Sequence, residues 1–111
     1  MSDLRNQKIR SLLERLAAQF LRETIGPGTI TTVTQVKLSD SLEGASIFIT
    51  VFPEKNERAV LDVIKERHHE FMEFLIKNTN IKFLPSIVFK IDRGEKNRQR
   101  IEELLLKENK K

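Results

Sequence analysis

At 111 residues, with 20 Lys and Arg against 16 Asp and Glu, the chain has the length of one domain and a formal charge of +4. A chain of that size builds an ordinary core unaided, and the absence of cysteine excludes disulfide, thiolate and cysteine-ligated zinc chemistry. No apolar run reaches the length of a membrane span and Met1–Arg5 lacks the apolar block of a secretory leader, so a soluble, cytoplasmic protein with no membrane partner is expected.

The first predicted element is a helix over about residues 2–24. Leu4, Ile9, Leu12, Leu13, Leu16, Phe20 and Ile25 recur at spacings that draw one apolar stripe on it. Gly26-Pro27-Gly28 stops it. Thr29–Leu38 is dense in β-branched residues and reads as a strand, although Ile30, Val33, Val36 and Leu38 do not alternate cleanly. After the turn Ser39–Gly44, residues 45–52 form a second strand with Ala45, Ile47, Ile49 and Val51 on one face and Ser46, Phe48, Thr50 and Phe52 on the other. The two strands are expected to pair as an antiparallel hairpin.

Pro53–Asn56 opens a helical stretch to about Lys77, with Val60, Ile64, Phe71 and Leu75 on one face. Between Lys65 and Glu70 it holds no apolar residue. A straight helix from Glu57 to Lys77 would be about 31 Å long, against a radius of gyration of about 13 Å for a domain this size. A bend or short joint is therefore expected between Glu66 and Glu70, with His69 leaving helical angles toward the left-handed region. A third strand follows, best from Ser86 on, with Ile87, Phe89 and Ile91 on one face. Asp92–Glu95 reads as a turn, and Ile101, Leu104 and Leu105 as a short C-terminal helix before a basic tail at 106–111. The fold class is α+β, with helices in blocks beside a small sheet, a two-layer sandwich.

The charge excess is local. Between Lys82 and Arg100 lie six basic residues (Lys82, Lys90, Arg93, Lys96, Arg98, Arg100) and two acidic ones, while the remainder carries 14 of each sign. A basic patch on an otherwise balanced chain is the footprint of a polyanion partner. Arg5, Lys8 and Arg10 extend the patch or simply line a solvated helix face.

Enzyme signatures are absent. No Gly-rich phosphate loop or nucleophile elbow occurs, and each glycine falls at a turn. His68 and His69 are the whole histidine complement. Glu66 and His69 share a helix face, but a metal needs three or four ligands. No cofactor, metal, small-molecule substrate or catalytic residue is expected. His68 reads as a core-edge residue between Ile64 and Phe71, and His69 as a solvated helix position. Exposed Phe48 and Phe52 would be base-stacking candidates on an open sheet face. Small domains bury most such rings, so core packing is the expectation for both.

Several blocks in order resemble the ribosome-binding factor A family across nearly the whole chain. Val33–Ala45 is similar to its strand and Ser-x-Asp-Leu turn, with Ser41 where the Asp is expected. Ala45–Val51 matches its alternating strand, Leu84–Asp92 its Thr-Pro-x-Leu-x-Phe-x-x-Asp block, and Arg100–Leu105 its closing Arg-Ile-x-x-Leu-Leu. The resemblance implies a type II KH-like fold, α-β-β-α-α-β, over residues 1–105. It implies binding to the small ribosomal subunit and its rRNA during late maturation and processing of the 16S precursor. The family's Ala-x-Gly kink falls on Arg67-His68-His69, where neither small residue is present. Arg67 and His69 join the six basic residues as RNA-contact candidates on that ground. The expected protein is a monomer when free. A KH-like RNA binder acting outside the ribosome and a protein-interaction module are the alternatives.

Overall fold

The computed structural model describes residues 2–41, 43–81 and 84–108, in the order α1 (Ser2–Thr24), β1 (Ile30–Leu38), β2 (Gly44–Phe52), α2 (Glu57–Glu66), α3 (His68–Asn78), β3 (Ser86–Ile91) and α4 (Arg93–Glu108). The strands form one sheet, ordered β1-β2-β3. The β1–β2 pair is antiparallel and the β2–β3 pair parallel. A parallel neighbour requires a crossover, and α2 and α3 supply it.

One face of the sheet carries the core. Ala45, Ile47, Ile49 and Val51 alternate along β2 and are buried, as are Ile87 and Ile91 of β3. Leu13, Leu16, Ala17, Phe20 and Leu21 of α1 pack on them at helical spacing, with Val60 and Ile64 of α2 and Phe71 and Leu75 of α3. Phe71 sits between Phe20 and Phe89, with ring centroids 5.1 and 5.2 Å away, so one aromatic ring joins α1, α3 and β3.

The uneven alternation of β1 has a structural cause. Val33 pairs with Ile49 and Gln35 with Phe48, so Thr34 is an extra residue in a β-bulge. Before the bulge Val33 packs against the core; after it the core parity passes to Val36 and Leu38.

The long helical stretch is broken inside the expected interval between Glu66 and Glu70, but at Arg67 and not at His69. Arg67 takes φ −100° and ψ 17°, while His69 is regular helix within α3. No left-handed residue is needed. The bridge region is open to any L-residue, so a single Arg makes the joint without glycine. The Arg67 N–H still donates to the Val63 carbonyl at 2.9 Å, and its own carbonyl accepts from the Phe71 N–H at 3.0 Å. His68 is exposed rather than at the core edge.

The expected turn at Asp92–Glu95 is instead the start of α4. Asp92 is its N-terminal cap: Oδ1 accepts the Glu95 N–H at 3.0 Å. Oδ2 accepts the Thr34 hydroxyl at 2.5 Å and the Gln35 amide at 3.4 Å, and the Asp92 N–H donates to the Ile49 carbonyl at 2.8 Å. Asp92 is 8% exposed and is the one charged side chain buried among the described residues. The Glu95 N–H and the Thr34 hydroxyl hold its carboxyl below the ordinary aspartate range.

Two further ties hold the base of α4. Lys96 Nζ, 15% exposed, donates to Glu54 Oε1 at 2.7 Å and Glu57 Oε2 at 3.0 Å. Arg100 Nη2 donates to the same Glu54 oxygen at 2.6 Å. Glu54, followed by Glu57, keeps the Lys96 ammonium charged to higher pH than usual. Beyond Arg100 the helix stands clear, with Ile101, Leu104, Leu105 and Leu106 more than half exposed. Residues 106–108 thus continue the helix into the stretch expected to be a tail.

Asp92→Ala removes the cap and leaves the Thr34 hydroxyl only the longer bond to the Phe48 carbonyl, 3.2 Å away, and should cost about 2 kcal/mol in urea unfolding at neutral pH. A depressed carboxyl stabilises the fold above its ordinary range and loses that contribution as pH falls through the folded value. The stability gap between the parent and Asp92→Asn should therefore close in acid. In Glu54→Gln the Lys96 ammonium should titrate at lower pH than in the parent, read by NMR of its Nζ group.

Candidate nucleic-acid interface

The six basic residues of the charge excess divide by partner. Lys82 lies outside the described residues. Lys96 and Arg100 are engaged by Glu54 and Glu57. Arg98 is bound within its own helix, by Glu95 and by Glu102 at 2.5 Å. Carboxylate partners raise the pKa of all three, Glu95 foremost for Arg98 and Glu54 for the other two. Lys90 and Arg93 are exposed, and among the described residues neither has a carboxylate within ion-pair distance.

Their positions follow from the elements that carry them. Ser86, Val88 and Lys90 alternate along β3 with the buried Ile87 and Ile91, so Lys90 stands on the face of the sheet opposite the core. Arg93 opens α4 directly beyond the strand end. Together they mark one corner of the domain.

Arg67 and His69 are elsewhere. Arg67 lies near Phe20, Glu23 and Thr24 at the end of α1, on the helical layer. It pairs with Glu70 at 3.3 Å, with both side chains about half exposed. His69 pairs with Glu73 at 3.0 Å rather than with Glu66, because the joint at Arg67 takes Glu66 off the face that His69 occupies. The fold therefore separates the joint candidates from Lys90 and Arg93. Arg5 and Lys8 line a third region. With Lys77, Ile9, Leu12 and Leu84 they border a cleft of about 1050 Å³ between α1, the end of α3 and the approach to β3.

The open face of the sheet corrects the expectation for Phe48 and Phe52. Neither ring is core. Phe48 is half-buried on the open side of β2, and Phe52 is 69% exposed. Lys37 reaches over Phe48, its Nζ 5.4 Å from the ring centroid. Lys37 is absent from the basic candidates, because the bulge decides which face it takes and a bulge leaves only a broken alternation in the sequence. Among the described residues no group of three or more His, Cys, Asp and Glu side chains is placed to hold a metal. No described helix is long and apolar enough to cross a membrane.

Comparison with known proteins gives a consistent picture. The family model for ribosome-binding factor A matches residues 5–105. A ribosome-binding factor A from Pseudothermotoga lettingae is 30% identical over 109 residues, covering 95% of this chain and 92% of that protein. The crystal structure of ribosome-binding factor A from Thermus thermophilus superimposes with a TM-score of 0.68 at 22% identity, over 78% of this chain and 96% of that one. A Thermus thermophilus ribosome-binding factor A model fitted into a cryo-electron microscopy map of its complex with the 30S subunit gives 0.66 at 22% identity, over 76% and 91%. The fold is thus the KH-like one of these structures, and the chain belongs to the ribosome-binding factor A family.

Proposed function

We propose that this protein binds the small ribosomal subunit through its rRNA and, as a non-enzymatic cytoplasmic factor, assists late maturation of the subunit and processing of the 16S precursor. Family membership supports the ribosomal setting, as does the relative fitted into a 30S complex. The observation that carries the contact is the pair Lys90 and Arg93, exposed at one corner and without carboxylate partners among the described residues. Lys82 lies outside the described residues and is a contact candidate on the charge pattern of the sequence alone. Lys96 and Arg100 act first as fasteners of α4, Arg98 is held by carboxylates of its own helix, and Arg67 and His69 form a separate, weaker contact at the helix joint. Phosphate contacts position a protein on folded RNA without reading sequence, which suits a factor that holds an rRNA arrangement and then leaves.

The exposed Ile101, Leu104 and Leu105 favour a second reading, in which α4 docks on a ribosomal protein. Binding that survives nuclease treatment of the subunit would select that reading.

Lys90→Ala with Arg93→Ala should lower the slope of log affinity for small subunits against log salt by about two. Adding Lys96→Ala should leave the slope where it is and reduce thermal stability instead. A double variant that binds subunits like the parent at every salt concentration would overturn the proposed surface.

A further inference from the structure

We propose that the open face of the sheet is a stacking platform for an unpaired RNA base, with the Phe48 ring as its floor and Lys37 and Lys90 holding the flanking phosphates. This rests on the rRNA reading above and adds to it a class of ligand, single-stranded rather than helical RNA, and a second surface.

The charge pattern of the sheet is the first support. The three strands contain two ionisable residues, Lys37 and Lys90, and no Asp or Glu. Both lysines fall on the open face and both flank one ring. Lys37 Nζ stands over the Phe48 ring, 5.4 Å from its centroid, and has to swing off that face to a phosphate when a base stacks there; Lys90 is the register partner of Phe48 on the parallel neighbour strand. Adjacent strands run about 4.8 Å apart, so the Lys90 stem starts beside the ring. Two cations around one aromatic, with no acid inside the strands and the adjoining Asp92 carboxylate buried and bonded by Thr34 and Gln35, suit a ligand that offers a π-face and negative charge together.

The ring's setting is the second support. Phe48 is half-buried, so its neighbours hold it in place while part of its surface meets solvent. Around it stand the hydroxyl groups of Ser46, Thr50 and Thr32, able to meet the edge of a base, while the Gln35 amide is engaged by Asp92. Phe52 follows four residues along the same face, about 13 Å away at 3.3 Å per residue. It is 69% exposed and borders a groove lined by Gln99, Arg100 and Lys96 and also by Glu54, Glu57 and Glu103, so its surroundings are less basic than those of Phe48. The face thus offers a second ring farther along the same strand.

A helical RNA cannot use this surface. Its π-faces are consumed in the stack, whereas a loop or bulge presents bases that can lie on an aromatic side chain. A protein partner fits less well, because the exposed apolar residues do not form one patch: Ile30 and Phe52 pair at one end of the sheet, and Val88 stands apart beside Ser46.

The test measures binding of the full chain to a fluorescein-labelled oligoadenylate decamer and to a hairpin duplex of similar length, beside small subunits. Phe48→Leu keeps apolar bulk and removes the π-face. It should weaken decamer binding roughly tenfold, with the salt slope unchanged because no charge is lost. Duplex binding should hold. Phe52→Ala, at an exposed site that the core does not need, should weaken the decamer a few-fold, and its thermal unfolding should match the parent. Equal decamer affinity for parent, Phe48→Leu and Phe52→Ala would overturn the platform. If Lys90→Ala with Arg93→Ala then still loses subunit binding, the rRNA reading survives that failure; if it does not, both fall. Loss of subunit binding in Phe48→Leu with unchanged decamer binding would assign the face to a ribosomal protein and likewise overturn the proposal.

Discussion

Asp92 sits where β1, β3 and α4 meet, and the order of the open side of the molecule depends on its carboxylate. A charged group withdrawn from water costs several kcal/mol unless its lone pairs are bonded. Here the Thr34 hydroxyl, the Gln35 amide and the Glu95 N–H supply the bonds. Two of these donors come from a β-bulge, so the extra residue in β1 is a condition for burying the charge. The same bulge reverses the strand's parity. Without it, Lys37 would fall on the side taken by Val33 and face the core; with it, Lys37 reaches Phe48 on the open face. One buried carboxylate thereby aims α4 and sorts the side chains of the first strand.

The cations of this chain serve two ends that a charge count does not separate. Lys96 and Arg100 converge on Glu54 and pin the base of α4 to the segment leaving β2. Their charge is neutralised locally, and little of it is left for a distant anion. Lys90 and Arg93 face solvent. The formal excess of +4 thus overstates the charge available near α4 and understates it on the sheet, where Lys37 is free of any acid on its own strands. Solvent screening weakens the exposed pairs, so this division sharpens at low ionic strength and blurs at high.

What could be read from the sequence was whatever repeats locally. The α1 stripe is visible because Leu13, Leu16 and Phe20 repeat at helical spacing, and the β2 faces because period two runs unbroken from Ala45 to Phe52. The helix break was visible through the excess length and through the run from Lys65 to Glu70 that holds no apolar residue. Its placement at Arg67 was not, since the bridge conformation demands no particular residue. The capping of α4 left a local sign, Asp92 three residues ahead of Glu95 in the spacing of a capping box, but the same residues also suit a turn. The pairing of Lys96 and Arg100 left none, because Glu54 lies more than 40 residues upstream and only the fold brings it close. The exposure of Phe48 and Phe52 was hidden for a related reason: alternation assigns faces without saying which face the helices cover.

The fastening of α4 by its first two turns also divides the chain into parts that need not melt together. Asp92, Lys96 and Arg100 hold the near end, while from Ile101 onward the helix rests on its own hydrogen bonds. A helical segment of about eight residues is marginal in water by itself, since too few bonds offset its nucleation. The outer turns should therefore exchange their amide hydrogens through local fraying, at a free energy well below that of global opening. Enthalpy of unfolding scales with the residues that order cooperatively. A calorimetric transition of this protein would consequently report a unit that ends near Arg100, with the outermost turns of α4 contributing little to its heat.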